Sequence, residues 1–596
     1  MVSKRLFQIF EISVFFAVIA TQLYLSQRGL TFLLDEEWYV SEPYLLATGG
    51  VPFVDVFSNA PGFGIIPAIF YKLFMWITGS TDGLYLFSRW LYVFWNASVA
   101  LLTFWIVQKF TRFRIPFLAV SAHISTVPNG ACYITYNSIG YMFIPLICAL
   151  VFADHENRLG KSKIFGFFAG LVASLTVLGT PMTLIALFIL LVYLITQEKW
   201  DRITGIFWGI FTSVALLVTY CCSLRGVKSF LNGLYMFFHD NGYVNLSYIQ
   251  PIEVNAKVFL YYYGPFMASI ILLTLFKKKL KNQPNFLPLL LNFLILALFI
   301  TGILILCLFK TFAWIYIWPW FGTMLYNVFT HHQKRHYSLE AVSTISIALI
   351  CSHIISSLLA TDGTVDKHYW LSIGSILTFC VFYNENLFQK KQKWVILSLI
   401  LLFFTSIFHL LYPLSSILSL NETFNTSYPK SFFKGVLASE NQVKAFLKIE
   451  NYLSSNIKEE DYVYFLEMTH TLTSEKKMHL LQKNSADSFL SFFHKKNTMI
   501  PLYNYWSHQN KIPTKIIYIM GQITKISKAD FDTLYIFLNP KSKLQEFLKK
   551  YYYSYTIYKT NDFWVYTYTL KDPIGAMQEA HDLATIPFKR ALNHNR

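Results

Sequence analysis

The sequence predicts a mostly α-helical protein that crosses a membrane about thirteen times and carries a small extracytoplasmic α/β domain near its C-terminus. Composition is the first observation behind this prediction, because the 596 residues are 54% hydrophobic and only 14% charged. The second is the recurrence, up to about residue 412, of apolar stretches long enough to cross ~30 Å of hydrocarbon. The third is the distribution of Lys and Arg, which alternates between successive inter-span segments.

The predicted spans begin close to the N-terminus. They cover residues 6–26, 84–107, 115–130, 138–153, 163–179, 181–196, 203–222, 257–276, 286–308, 311–330, 339–359, 369–388 and 394–412. The first of them is too long and too weakly terminated for a cleaved signal peptide, so we expect a retained anchor.

Basic residues indicate which side of the membrane each segment faces, since Lys and Arg stay preferentially in the cytoplasm. With the N-terminus inside, the inner segments contain more than twice as many Lys and Arg as the outer segments before residue 413. The expected location is the plasma (cytoplasmic) membrane, with a cytoplasmic N-terminus and an extracytoplasmic C-terminal domain. The net charge of +17 is mostly this topological signal. No soluble segment interleaves a basic stripe with aromatic residues, so nucleic acid is not an expected partner.

Four regions follow from this topology. Residues 1–412 form the membrane body, which includes a long first outer loop at about 27–83. Residues 413–439 form a linker, 440–570 a small α/β domain and 571–596 a tail. The α/β prediction rests on a helical apolar stripe followed by short β-rich runs. Those runs are residues 462–466, 515–520, 533–538 and 563–568.

The first outer loop contains the candidate catalytic residues. Three acids, Asp35, Glu36 and Glu37, follow the first span and precede a Trp–Tyr pair. Acids beside aromatic residues, in a chain that otherwise consists mostly of predicted spans, favour chemistry at a lipid–water boundary. Later parts of the loop, including residues 65–76, are short amphipathic pieces that suit helices lying in the interface plane.

A longer motif order extends over about the first 200 residues. It consists of Asp35-Glu36, Trp38-Tyr39, Gly49-Gly50-Val51-Pro52-Phe53, Asp55, Pro61, Gly79, Arg89, Tyr136-Asn137, Gly166-Phe167-Phe168-Ala169-Gly170-Leu171 and Thr180-Pro181. This order resembles the polyprenyl-phosphate-sugar-dependent glycosyltransferases of the GT-C fold, above all the branch of the protein O-mannosyltransferases and aminoarabinose transferases. Beyond about residue 200 the resemblance rests on topology alone.

The resemblance implies a reaction at the outer face of the membrane. A monosaccharide would move, with inversion, from a polyprenyl-phosphate carrier to an extracytoplasmic acceptor, which is a cell-envelope glycan, a lipid or a protein. A hydroxyl acceptor is a poor nucleophile, and a carboxylate that removes its proton lowers the barrier. By resemblance Asp35 is the first choice for this base. Glu36 is the second choice, or a ligand of a sugar hydroxyl.

The remaining candidates are expected to bind substrate. Glu37 is the spare acid, and Asp55 is expected to orient the sugar or the acceptor. The leaving phosphate needs cationic partners whose interaction strengthens as charge develops, and Arg89 at the predicted outer mouth of the second span is the first candidate. Further candidates for substrate binding are Tyr39, Tyr136, Asn137, Arg225, Lys228, His239, Lys257 and Lys310.

Two features depart from the family pattern. The aminoarabinose transferases place a Lys just before the proline that aligns with Pro61, whereas this chain has Asn59-Ala60 there. A phosphate ligand must come from elsewhere, or the alignment differs. An acid expected between the third and fourth spans is also absent. The sequence therefore gives no support for a bound divalent ion, and no metal or cofactor is assigned.

Three other functions stay open. A polysaccharide polymerase or ligase that uses diphosphate-linked glycans is also polytopic, but its usual signature is a large late outer loop. A lipid or glycan transporter usually shows internal repeats and ionisable residues at mid-span, whereas this sequence shows no repeat and its acids cluster outside the predicted hydrocarbon. A non-catalytic envelope-assembly protein with a degenerate site is distinguished only by an activity assay.

Overall fold

The computed structural model describes most of the N-terminal half and several C-terminal stretches of the chain. The described residues are 4–28, 36–55, 62–111, 113–127, 132–153, 161–239, 392–418, 425–458, 461–465, 479–480, 512–521, 543–553, 556–559 and 563–584, with isolated positions between 373 and 383. They are mostly helical and divide into two compact units. One unit contains the described residues within Met1–Ser26, Arg89–Val218 and Ser247–Leu420, and the other those within Gln27–Ser88, Thr219–Leu246 and Asn421–Arg596.

Helices make up the described part of the N-terminal half. They are α1 (Lys4–Ser26), α2 (Glu36–Ala47), α3 (Ile65–Thr78), α4 (Leu84–Phe110), α5 (Leu118–Ser125), α6 (Tyr136–Phe152), α7 (Lys161–Gly179), α8 (Leu184–Thr196), α9 (Trp200–Arg225) and α10 (Val227–His239). Towards the C-terminus the elements alternate. They are α11 (Gln392–Leu418), β1 (Thr426–Ser427), β2 (Leu437–Ala438), α12 (Glu440–Asn456), β3 (Tyr462–Phe465), β4 (His479–Leu480), β5 (Lys515–Gly521), α13 (Lys543–Tyr551), β6 (Thr556–Lys559), β7 (Phe563–Thr569) and α14 (Pro573–Ala584).

Four of the described helices, α1, α4, α7 and α9, are long and apolar enough to cross a membrane. Their ends agree closely with four of the predicted spans. Helices α6, α8 and α11 cover three more of the predicted segments. The predicted spans at 257–276, 286–308, 311–330 and 339–359, and most of the one at 369–388, lie outside the described residues.

Helix α5 is much shorter than the span predicted at 115–130. It ends at Ser125, and Thr126 is extended with φ −77° and ψ 122°. Pro128 explains this ending, because proline lacks a backbone N–H and disfavours helical backbone at the preceding residue. The carboxylate of Glu11 on α1 accepts the N–H of Leu118 at 3.2 Å. Helix α1 thereby satisfies one of the N–H groups that the first turn of α5 leaves without a helical partner.

Two glycine pairs allow α7 and α9 to pack with their backbones in close approach. Gly166 and Gly170 lie four residues apart on α7, and Gly205 and Gly209 have the same spacing on α9. A Cβ atom added at Gly170 or at Gly209 would lie 2.1 Å from a carbonyl oxygen of the opposite helix. Small residues at this spacing are typical of close contacts between membrane helices. The glycines of the motif at 166–171 therefore have a packing role here.

We expect Gly170→Ala to lower the melting temperature of the purified protein in detergent. Alanine favours a helix over glycine by about 1 kcal/mol, but an overpacked contact costs about 1–3 kcal/mol, and the opposing backbone cannot move aside as a flexible side chain would. Phe211→Ala is the control, because Phe211 is an exposed residue of α9. An unchanged melting temperature for Gly170→Ala would show that the two helices do not meet at this glycine.

The second unit joins the first predicted outer loop to the segment before the C-terminal strands. The carbonyl oxygen of Gln27 accepts the N–H of Leu437 in β2 at 2.7 Å. The N–H of Tyr85, at the start of α4, donates to the carbonyl oxygen of Phe432 at 3.0 Å. This bond satisfies one of the N–H groups that the first turn of a helix leaves unpaired. The segment predicted as a linker thus contributes the β1–β2 hairpin to this unit.

Five strands near the C-terminus form one sheet in the order β4-β3-β5-β7-β6. Strand β3 is parallel to β4 and β5, whereas β7 is antiparallel to β5 and β6. Strands β3, β5 and β7 coincide with three of the predicted β-rich runs, and the run at 533–538 lies outside the described residues. Strand β4 was not predicted, because two residues are too few to show a period of two, and strand β6, of four residues, was not predicted either.

The carboxylate of Asp461 connects the start of β3 to the start of β5. It accepts hydrogen bonds from the ammonium of Lys515 at 2.6 Å, the N–H of Lys458 at 2.8 Å and the hydroxyl of Thr514 at 3.1 Å. Burial opposes ionisation of this carboxyl. The hydrogen bonds and the charge of Lys515 outweigh that effect and hold the pKa of Asp461 below its ordinary value.

We expect Asp461→Asn to destabilise the β3–β5 pair by about 2 kcal/mol, because Lys515 would keep a largely buried charge without its partner. Deuterium uptake by both strands at pH 7 should rise accordingly. Because the folded pKa lies below the unfolded one, the stabilisation by Asp461 is present at neutral pH and is lost as the pH falls through the folded pKa. Glu440→Gln removes an exposed ion pair with Lys444 and is the control. Equal uptake by the two variants would contradict the assignment.

Candidate functional site

The candidate catalytic acids lie at the start of α2. Asp35 falls just outside the described residues, and Glu36 and Glu37 are the first two residues of this helix. The side chains of Glu36 and Glu37 also lie outside the described part of the structure. Their catalytic role therefore stays a prediction, and the structure supplies the helix that carries two of the three acids.

Helix α2 buries a further carboxylate, which the sequence reasoning did not include among the site residues. Glu42 is 3% exposed, and Tyr39, one turn earlier, is buried with its ring edge-to-face against Phe63 at 5.9 Å. A Cβ atom added at Gly64 would lie 3.2 Å from Cγ of Glu42. The three-residue spacing between Tyr39 and Glu42 places both on one face of a helix, and this spacing was the available signal.

The loop after α2 has an unusual backbone. Gly49 adopts φ 107° and Phe53 adopts φ 65°. A positive φ is uncommon for a bulky residue and costs about 1–3 kcal/mol, so its surroundings must hold it in place. The N–H of Asp55 donates to the carbonyl oxygen of Val51 at 2.9 Å, and the side chain of Asp55 accepts the N–H of Val51, also at 2.9 Å. Asp55 thereby closes the loop on itself.

An ion pair connects this loop to the end of α9. Nε and Nη2 of Arg225 each lie 2.9 Å from Oδ2 of Asp55. Nη2 also donates to the carbonyl oxygen of Gly49 at 3.3 Å. The side chains of Arg225 and Asp55 are 43% and 28% exposed, so the pair is open to solvent and to ligands. We call this arrangement of residues 49–55 with Arg225 the loop clamp.

Helix α10 packs against the same loop. The ring of Phe230 meets that of Phe53 edge-to-face at 6.2 Å. A Cβ atom added at Gly233 would lie 1.9 Å from the carbonyl oxygen of Phe53, so only glycine fits at this position. The structure therefore brings together two predicted outer loops, which are separated by 170 residues between Asp55 and Arg225.

Arg89 occupies a different setting from Arg225. Its guanidinium is buried, with only 4% of the residue exposed. Nε donates to the hydroxyl of Tyr133 at 2.5 Å, and Nη1 donates to the carbonyl oxygen of Ser26 at 3.0 Å. The guanidinium carbon also lies 5.3 Å from the centre of the Tyr133 ring. These contacts connect the end of α1, the start of α4 and the segment before α6.

Tyr136 and Asn137 begin α6, and the side chain of Asn137 lies outside the described residues. Thr135 caps the helix, since its hydroxyl accepts the N–H of Ser138 and the hydroxyl of Ser138 accepts the N–H of Thr135. The hydroxyl of Thr180 donates to the carbonyl oxygen of Tyr136. The two motifs Tyr136-Asn137 and Thr180-Pro181 of the sequence are thus in direct contact.

Of the other predicted ligands, Lys228 is the one whose side chain is described. Lys228 lies exposed on the first turn of α10, and His239 ends that helix with its side chain outside the described residues. Lys257 and Lys310 also lie outside the described residues. Within the described part of the chain, no group of three or more His, Cys, Asp and Glu residues could hold a metal ion.

Chemically, the loop clamp presents a half-exposed guanidinium beside a short loop that is buried at residues 51–54 and exposed at Gly49. A guanidinium carries five N–H donors in a planar fork, and Asp55 and Gly49 engage only those on Nε and Nη2 of Arg225. The remaining donors can bind an oxyanion such as a phosphate.

No known family model matches the chain, and no curated protein matches it.

Proposed function

We propose that the chain is an integral-membrane inverting glycosyltransferase of the GT-C type. It transfers a monosaccharide from a polyprenyl-phosphate carrier to a cell-envelope glycan, a lipid or a protein. The proposal includes about thirteen spans in the plasma membrane and a cytoplasmic N-terminus. It also places an α/β domain at residues 440–570 on the outer side together with the first outer loop.

The loop clamp is the observation that carries this proposal. Asp55 and Arg225 were both candidates for substrate binding, and their pairing at 2.9 Å places a cation beside the loop that follows the candidate acids. Phosphate recognition needs such a cation, because charge develops on the leaving oxygen as the sugar departs. Arg225 is half-exposed, and among the described residues its contacts use Nε and Nη2, whereas the buried guanidinium of Arg89 is bonded to Ser26 and Tyr133. We therefore assign the phosphate to Arg225 in preference to Arg89.

The proposed reaction is a single displacement. The acceptor hydroxyl oxygen forms a bond to the anomeric carbon of the donor while the bond from that carbon to the phosphate oxygen breaks. The hydroxyl proton passes to the carboxylate of Asp35, or to that of Glu36, and polyprenyl phosphate leaves. Arg225 stabilises the phosphate through N–H donors that are in place before the charge develops.

The composition of the second unit supports an outer location for the site. That unit combines the described parts of three segments that the Lys and Arg distribution predicts to be outside, namely 27–83, 223–256 and the chain after residue 413. Helix α3 in this unit also presents an exposed apolar stripe. The stripe consists of Ile69, Leu73, Trp76 and Ile77, and such a helix suits the surface of a bilayer.

The test is an assay of the purified chain in nanodiscs with a panel of polyprenyl-phosphate sugars. Mass spectrometry of envelope glycans from cells with and without the chain would identify the sugar and the acceptor together. We expect a glycan or lipid that lacks one monosaccharide when the chain is absent. Transfer from diphosphate-linked oligosaccharides alone would instead indicate a polymerase or ligase. Donor movement across the bilayer without a new glycosidic bond would indicate a transporter.

A further inference from the structure

Helix α10 has two faces of different character. One face is buried, because Phe230 and Gly233 contact the loop at 49–55. A second side of the helix is apolar but exposed, with Val227 at 60% and Leu231 at 57%. These two residues are four positions apart and therefore form a stripe along one side of the helix.

The apolar stripe follows further exposed apolar residues along the chain. Helix α9 is 26 residues long, which corresponds to about 39 Å and exceeds the ~30 Å of a hydrocarbon core. Leu216, Tyr220 and Leu224 on this helix are exposed large hydrophobic residues. Helix α10 begins two residues after α9 ends, and Gly226 between them has a φ of 80°. The exposed apolar residues at the C-terminal end of α9 thus precede the stripe on α10 in the chain.

Basic residues lie beside the stripe. Arg225 ends α9, and Lys228 is exposed on the first turn of α10. A helix with one apolar face and basic residues at its edge binds the surface of a membrane, since the apolar side chains enter the leaflet and the cations meet anionic headgroups. Long basic side chains reach the headgroups while their stems stay on apolar surface.

We propose that α10 lies on the anionic phospholipid leaflet of the membrane that α9 crosses, with Val227 and Leu231 inserted among the lipids. The occupant of the exposed face is therefore bulk phospholipid. Because the other face of α10 holds Phe53, this contact keeps the loop at 49–55 at the depth of the headgroups. The proposal concerns the membrane surface and does not depend on the glycosyl transfer proposed above.

Photo-crosslinking in the full-length chain tests the proposal. Leu231→p-benzoylphenylalanine, in nanodiscs that contain alkyne-tagged phosphatidylglycerol, should form a covalent lipid adduct. Asn232→p-benzoylphenylalanine is the matched control, because Asn232 is exposed on α10 but lies about 100° away around the helix. Leu216→p-benzoylphenylalanine, in the body of α9, calibrates the adduct yield of a residue on a spanning helix.

We expect an adduct at position 231 that approaches the yield at 216 and exceeds that at 232 several-fold. Lys228→Glu in the same background should lower the yield by up to about fivefold in anionic nanodiscs and leave it unchanged in zwitterionic ones. Equal yields at 231 and 232, or an adduct at 231 to protein in place of lipid, would overturn the proposal. A loss on Lys228→Glu that is the same in both lipids would overturn the role of anionic headgroups.

Discussion

Asp35→Asn is expected to abolish most sugar transfer, with a decrease of about 10²–10⁴-fold in kcat. Asparagine keeps the size of the side chain but cannot accept the proton of the attacking hydroxyl. The measurement is turnover of a polyprenyl-phosphate sugar by the purified protein in nanodiscs. Glu36→Gln is expected to have a smaller effect on kcat and a larger one on KM if Glu36, which the resemblance makes the second choice for the base, serves instead as a ligand of a sugar hydroxyl.

An acid far from this loop provides the control for Asp35→Asn. Asp201 lies at the start of α9, where it forms an exposed ion pair with Lys163 at 3.3 Å, and Asp201→Asn should keep full activity. If Glu36→Gln abolishes turnover while Asp35→Asn does not, the base is Glu36. If both variants keep full transfer, neither carboxylate is the base and the site lies elsewhere.

The sequence predicted single elements better than contacts between elements. The ends of α1, α4, α7 and α9 agree with predicted spans because hydrophobic length is a local property of the chain. The early end of α5 also has a local cause in the sequence, which is Pro128. The apolar residues around this proline nevertheless led to the prediction of a longer span at 115–130. Where the apolar pattern and the turn chemistry disagreed, the turn chemistry decided the end of the helix.

The loop clamp was only half predictable. Asp55 and Arg225 were each candidates for substrate binding, one from the motif order and one from its charge and position. Their pairing depends on the backbone of a loop with positive φ at Gly49 and Phe53 and on the close approach of Gly233. Neither the hydrophobic periodicity nor the composition of a sequence reveals these positive φ angles or this close approach, because the φ angles and the approach depend on the tertiary fold.

The same reasoning explains the buried acid and the buried arginine. Sequence alone treats an acid such as Glu42 in a polar loop as solvated, and its burial becomes visible only once α2 packs against Phe63 and Gly64. Arg89 was selected for its position at the mouth of a predicted span. Its partners include a backbone carbonyl, that of Ser26, and any residue type could have supplied such a carbonyl.

Arg225→Ala is expected to lower kcat by about 10²–10³-fold, which is the usual cost of removing a group that stabilises developing negative charge. Arg225→Lys should recover only part of this loss, since an ammonium is a point charge and cannot hold Asp55 and a phosphate with one planar fork. Asp55→Asn leaves the guanidinium in place and should cost about tenfold or less, through a looser 49–55 loop. Lys228→Ala, on the exposed side of α10, should have the smallest effect of these variants.

A charge exchange separates phosphate binding from a purely architectural role of Arg225. The double variant Asp55→Arg with Arg225→Asp keeps an ion pair between the loop and the end of α9 but loses the acceptor of the Val51 N–H, so its melting temperature should lie above that of either single variant and below that of the unmodified protein. The cation, however, now lies on the loop, and its fork no longer presents the same N–H donors beside α10. We therefore expect the exchange to restore part of the stability lost in the single variants and none of the turnover. Full turnover in the exchanged protein would mean that Arg225 acts only by holding the loop, and the phosphate ligand of the proposed reaction would then have to be another cation.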